Sequence, residues 1–156
     1  AGGVRPSCAA SNRDLPAAVL ITVVPGATLF TAELALQLGF AIQMDYISCP
    51  HNPGDREYQS EIVYHHNIDI TNKPVIIIDD AIESGGTMKR LVAFISQHYS
   101  PASVSVAVLF VKPGRVIIPV KQYYAFEMEN DDLLIGYGMP WEGKYRNLPF
   151  VAKLQK

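Results

Sequence analysis

Apolar positions along this chain fall into short β-branched runs, interrupted by two stretches with a helical period. Val19-Leu20-Ile21-Thr22-Val23-Val24, stopped by Pro25-Gly26, predicts a buried strand. Thr28 to Leu38 are good helix formers, with Gly39 placed to end the helix. Ile42–Ser48 alternates Ile42, Met44 and Tyr46 against Gln43 and Asp45, which predicts a second strand. Cys49–Glu61 is a polar loop containing two prolines and one glycine, and a short strand around Ile62–Tyr64 follows it. Val75-Ile76-Ile77-Ile78 is apolar on both faces, as in a central parallel strand covered on both sides. A helix over Thr87–Tyr99 carries Met88, Leu91, Val92, Ile95 and Tyr99 on one face. Val104, Val106, Val108 and Phe110 alternate along a further strand, and Tyr123–Glu127 and Leu133–Tyr137 are shorter candidates. The order β-α-β…β-α-β predicts an α/β fold, a twisted, mainly parallel sheet flanked by helices. In such sheets ligands gather at the carboxyl ends of the strands.

Composition narrows the class. The 156 residues are 49% hydrophobic and 18% charged, too apolar for disorder and long enough to bury a core. No apolar run approaches the roughly 20 residues of a spanning helix, so no membrane partner is expected. A net charge of −2 gives no general attraction to nucleic acid. Cys8 and Cys49 are too few for a disulfide framework, and the first residues lack the apolar core of a signal peptide, so a cytoplasmic setting is expected. No linker divides the chain. It reads as one domain over 1–156, with 1–16 as an approach segment and 49–61 as a mobile loop.

Chemistry concentrates in Val75–Met88. A buried strand delivers adjacent carboxylates, Asp79 and Asp80, whose repulsion is costly unless a ligand or cation neutralises it. Ser84, Gly85, Gly86 and Thr87 then combine hydroxyls, bare amides and a helix start, which together make an anion cradle. Acids beside a phosphate cup suit a sugar phosphate. A nucleoside triphosphate fits poorly, because the lysine of the G-x-x-x-x-G-K-[ST] loop is missing. Elsewhere, His65 and His66 are adjacent and point to opposite faces of a strand, so they do not jointly grip a metal. Asp131-Asp132 reads as a solvated turn, Trp141 as packing, and Cys49 as an inert thiol with no neighbouring cation in the sequence.

Ile76–Met88 resembles the phosphoribosyl-pyrophosphate (PRPP) loop of type I phosphoribosyltransferases: apolar strand, two acids, two spacers, an acid, a hydroxyl residue, Gly, a variable residue, Thr. The resemblance extends to the hypoxanthine-guanine branch. Val23-Val24-Pro25-Gly26-Ala27 stands where that branch has its pyrophosphate loop. Val108–Lys112 matches a strand ending in the lysine that recognises the purine O6, and Leu133–Gly138 with Tyr145–Pro149 matches the base-binding segment and a pyrophosphate arginine.

The resemblance implies a type I phosphoribosyltransferase fold with a reduced hood. It also implies Mg²⁺-dependent purine salvage, in which PRPP and a 6-oxopurine, hypoxanthine or guanine, give IMP or GMP and pyrophosphate. Asp79 and Asp80 would hold the ribose hydroxyls and the metal, and Ser84, Gly85, Gly86 and Thr87 the 5′-phosphate. Pro25, Gly26 and Arg146 would meet pyrophosphate; Lys112, Leu133 and Leu134 would meet the base; Glu83 would be the catalytic acid/base. The 49–61 loop would close over the site, and the chain would assemble as a dimer or tetramer. This sequence has Glu83 where the family usually has Asp, Leu133 in place of an aromatic, Pro140 in place of an acid and Pro25 in place of a lysine. The usual Ser-Tyr pair is not found in the loop. Those departures motivate an alternative reading: a regulator on the same fold that binds nucleotide or RNA with little or no turnover.

Overall fold

A computed structural model describes residues 17–50, 60–115 and 117–155. The approach segment 1–16 and most of the 49–61 loop lie outside the described residues. Six strands form one sheet: β1 (Ala18–Val23), β2 (Ile42–Ser48), β3 (Val63–Tyr64), β4 (Pro74–Ile82), β5 (Ser103–Val111) and β6 (Lys121–Glu127). Their order is β3-β2-β1-β4-β5-β6. Every pairing is parallel except β2 with β3. Helix α1 (Thr28–Gln37) links β1 to β2, and α2 (Gly86–His98) links β4 to β5.

Alternation of side chains along the strands gives the sheet two apolar faces. One face presents Val19, Ile21, Ile77 and Val106, packed with Met88, Leu91, Val92 and Ile95 of α2. The other presents Leu20, Ile78 and Ala107, packed with Phe30, Leu34 and Ala35 of α1. The mainly parallel sheet with helices on both faces matches the expected fold class.

Three expectations are corrected. Alternation in β2 would turn Met44 and Tyr46 inward, yet both are exposed and Asp45 is fully buried. The Asp45 carboxylate is kept inside by fixed donors: it accepts from the backbone amides of Tyr46 (2.8 Å), Asn67 (2.6 Å) and Ile68 (3.0 Å). A buried carboxylate is stable when amides satisfy it, and here they tie β2 to the 65–68 turn. Strand β4 also continues past Ile78 to Ile82, so Asp79 and Asp80 lie within the strand rather than after it. Third, a second, two-stranded sheet joins β7 (Leu134–Ile135) to β8 (Ala152–Lys153), of which only β7 was expected. Among the described residues no helix is long and apolar enough to cross a membrane.

Candidate active site

Strand order reverses direction at β1: its successor in sequence, β2, lies on one side and β4 on the other. Such a switch point opens a crevice at the strands' carboxyl ends. The β1–β4 ladder stops at Thr22↔Ile78, while β4 stays paired to β5 as far as Ile82↔Val111. Asp79 and Asp80 therefore occupy the stretch where β4 has lost one neighbour. Into that space turns the segment after β1, which contains a cis Val24–Pro25 peptide. A Cβ added to Gly26 would stand 2.7 Å from Asp80 Oδ2, so glycine is what lets this backbone approach the carboxylate.

Each acid is held by a neighbouring amide: Asp79 Oδ1 accepts from Asp80 N (2.8 Å) and Asp80 Oδ1 from Ala81 N (2.6 Å). Burial, and then the adjacent Asp80 carboxylate, push the Asp79 carboxyl well above the ordinary range. Negative charge is thus concentrated where a cation or hydroxyl donors would relieve it. Gly85 takes a left-handed conformation (φ 90°) to begin α2, a backbone that a side chain would strain. Gly86 N donates to Ser84 Oγ at 3.3 Å. The first turn of α2 carries no acidic residue, so its amide end keeps its positive character.

Lys112 follows β5, with its backbone fixed from both directions. Its N–H donates to Ile82 O (2.9 Å), and its carbonyl accepts from Arg115 Nη1 (3.0 Å). Its side chain is 9% exposed, and Nζ lies 3.3 Å from Glu83 Oε1 and 3.1 Å from Asp131 Oδ1. Burial alone would loosen the ammonium's proton; the bonds to Asp131 and Glu83 outweigh it and hold the pKa above its ordinary value.

A cleft of about 400 Å³, within the usual range for small-molecule sites, brings these groups together. Asp79, Asp80, Ser84, Gly85 and Thr87 line it. Glu83, Lys112, Leu133 and Leu134 line the same space, as does Arg146, whose Nη1 donates to Gly138 O at 2.8 Å. Pro25 and Gly26 lie in the turn after β1, with Gly26 close against Asp80, and Gly86 is the first residue of α2.

A family model described as the phosphoribosyl transferase domain matches residues 9–141. The chain belongs to the phosphoribosyltransferase family. It is 32% identical over 141 residues to a hypoxanthine-guanine phosphoribosyltransferase of Streptococcus thermophilus, covering 88% of this chain and 77% of that one. It is 27% identical over 139 residues to the enzyme of the same name from Staphylococcus epidermidis, with the same coverage. Among solved structures, a hypoxanthine-guanine phosphoribosyltransferase from Bacillus anthracis superposes with a TM-score of 0.81 at 29% identity, covering 93% of this chain and 87% of that one.

Against this phosphoribosyltransferase background, several placements differ from expectation. Asp131, read as a solvated turn, reaches Lys112; no local pattern pointed to the contact. Cys49 does have a cationic neighbour, because Arg90 on α2 directs Nη1 to its Sγ at 3.3 Å. Forty-one positions separate the two residues, so the sequence could not announce the contact. Met128 and Met139 add unpredicted apolar lining. Pro140 lines the cleft, while Glu142, the next acid along the chain, sits exposed on a turn with φ 51°. His65 packs edge-on to Tyr46, and His66 packs with Tyr64 and Tyr99, which keeps the two rings apart.

Proposed function

We propose that this phosphoribosyltransferase moves 5-phosphoribose from PRPP to N9 of a 6-oxopurine, hypoxanthine or guanine, giving IMP or GMP and pyrophosphate. The reaction serves purine salvage. The observation that carries the base assignment is the pairing of Lys112 with Glu83, an ammonium and a carboxylate 3.3 Å apart on one wall of the cleft. Side by side, they offer a donor and an acceptor. A 6-oxopurine presents the complement along one edge, the C6 carbonyl and the N7–H. Adenine places an amino donor against the ammonium and is disfavoured, since an unmatched buried polar group is costly.

Charge separation in the transition state sets the other roles. As the glycosidic carbon becomes oxocarbenium-like, electrons move to the leaving pyrophosphate, which Arg146 and the backbone of Pro25 and Gly26 receive. Asp79 and Asp80 hold the ribose hydroxyls. Ser84, Gly85, Gly86 and Thr87 fix the 5′-phosphate on the α2 amides, so that the sugar cannot drift from the line of attack. Glu83 takes the proton that the purine gives up as N9 bonds to carbon. Leu133 covers a face of the base, and the backbone of Leu134 meets its edge.

The paired carboxylates suit Mg²⁺, an ion usually held by one or two carboxylates together with substrate phosphate oxygens. When bound, Mg²⁺ would neutralise charge on the pyrophosphate. The reading treats 1–156 as one catalytic unit, with the 49–61 loop closing to exclude water. It also implies a cytoplasmic homo-oligomer.

The test is incubation with PRPP, Mg²⁺ and hypoxanthine, guanine, xanthine or adenine in turn. Nucleotide should form with hypoxanthine or guanine and not with adenine. Failure with every base removes the proposal. Use of adenine as efficient as that of hypoxanthine removes the role of the Lys112–Glu83 pair.

A further inference from the structure

The Lys112 ammonium has three N–H donors and, in this structure, two carboxylate partners on separate segments. Glu83 lies just before α2; Asp131 lies between β6 and β7, closer at 3.1 Å against 3.3 Å. The base assignment above gives Glu83 a second task. When a 6-oxopurine enters, the Glu83 carboxylate must turn to N7–H, and the lysine must offer a proton to the C6 carbonyl. A side chain only 9% exposed would then keep its charge beside a neutral oxygen, a costly state unless another counter-ion stays in place.

Asp131 is placed to be that counter-ion. Its loop is anchored immediately downstream: Asp132 pairs with Lys153 of β8 at 2.9 Å, and Leu133 O accepts from Leu154 N at 2.9 Å. The Lys112 end is anchored as well, since Arg115 grips its carbonyl and pairs with Glu127 at 3.4 Å. Both partners of the 3.1 Å contact are therefore tied to strands of the two sheets.

We propose that Asp131 is a positioning residue for base recognition, holding the Lys112 ammonium charged and aimed at the 6-oxo group while Glu83 serves N7. The role rests on the 6-oxopurine reading. It touches neither PRPP nor the reacting carbon, so its signature is confined to the base.

Steady-state kinetics of Asp131→Asn, Asp131→Glu and Lys112→Gln, alone and with Asp131→Asn added to Lys112→Gln, test it. Asp131→Asn should raise KM for hypoxanthine about tenfold, the size expected for losing a charged hydrogen bond, and leave KM for PRPP within about twofold. Asp131→Glu should restore most of the loss. In the Lys112→Gln background the Asp131→Asn change should add nothing, because its partner is gone. An equal rise in both KM values, an undiminished effect without Lys112, or wild-type behaviour of Asp131→Asn overturns the role. A wild-type chain that makes no nucleotide from any base overturns the reading beneath it instead, so the two failures are distinguishable.

Discussion

The carboxylates, hydroxyls and amides of the proposed PRPP cradle, Asp79, Asp80 and Ser84 to Thr87, come from one short stretch of chain. Around Lys112, just after β5, Glu83 from the segment before α2 and Asp131 from the approach to β7 converge, and Leu133 lines the same cleft. The proposed phosphate end is thus fixed by local backbone geometry, by a strand that outruns its neighbour and a left-handed Gly85 that opens a helix. The proposed base end is fixed by tertiary contacts between anchored loops. A change at the phosphate end should therefore alter PRPP handling or the chemical step, and a change at the base end should alter selectivity for the base. Crossed effects would break that division.

The largest effect is expected from Asp79→Asn. Removing one of the paired carboxylates should lower kcat/KM for PRPP by about a hundredfold or more, as loss of a preorganised charge does. Stability should move the opposite way. Because the folded state raises the Asp79 pKa, folding favours its protonated form, and stability is lost as pH climbs from the ordinary carboxylate range to the raised value. At neutral pH the asparagine escapes that cost, and Tm should rise by about 2–4 °C per kcal/mol recovered. Thermal melts at pH 5 and pH 8 check the sign. A variant that loses activity and also melts lower would show that Asp79 is structurally required rather than strained.

Lys112→Ala comes next. It should cost about a hundredfold in kcat/KM for hypoxanthine through lost hydrogen bonding, with KM for PRPP nearly unchanged. Equal losses for both substrates would mean that the two ends are one mechanical unit. Gly26→Ala belongs to the phosphate end although it lies on a different strand's turn. The added Cβ, 2.7 Å from Asp80 Oδ2, must displace the carboxylate or the turn. KM for PRPP should rise by about tenfold, a typical cost of misplacing a substrate-holding group, with base KM unaffected.

The same division explains what could be read from the sequence. Strands and helices were legible within a few residues, because β-branched runs and the Met88, Leu91, Val92, Ile95 stripe carry their own periodicity. The acid pair and glycine cradle were legible because strand, turn and helix start are consecutive. What escaped was settled by distant partners. Asp45 looked like the polar side of β2 until amides from the 65–68 turn are seen to satisfy it inside. Asp131, with a side chain 89% exposed, carries no local sign that it meets a buried lysine. Strand β8 is two residues long, too short to show alternation.

The smallest expected effect asks whether the base end tolerates a missing aromatic. Leu133 lines the cleft half-buried, beside Leu134 and between the Asp131 contact and β7. Leucine covers an apolar face but lacks the ring quadrupole that favours stacking on a purine. Leu133→Phe should gain about 0.5–1.5 kcal/mol of ring–base interaction, lowering KM for hypoxanthine and guanine by about two- to tenfold. KM for PRPP should stay put, because the proposed role of Leu133 is confined to the base. The competing physics is overpacking. Met128 and Met139 share the lining, and a larger side chain there costs stability unless the methionines yield. A lower base KM at unchanged Tm identifies a pocket with room for a stacking ring. A raised KM with a lowered Tm identifies one whose methionines have already filled the ring's place, so that leucine is the side chain the packing requires.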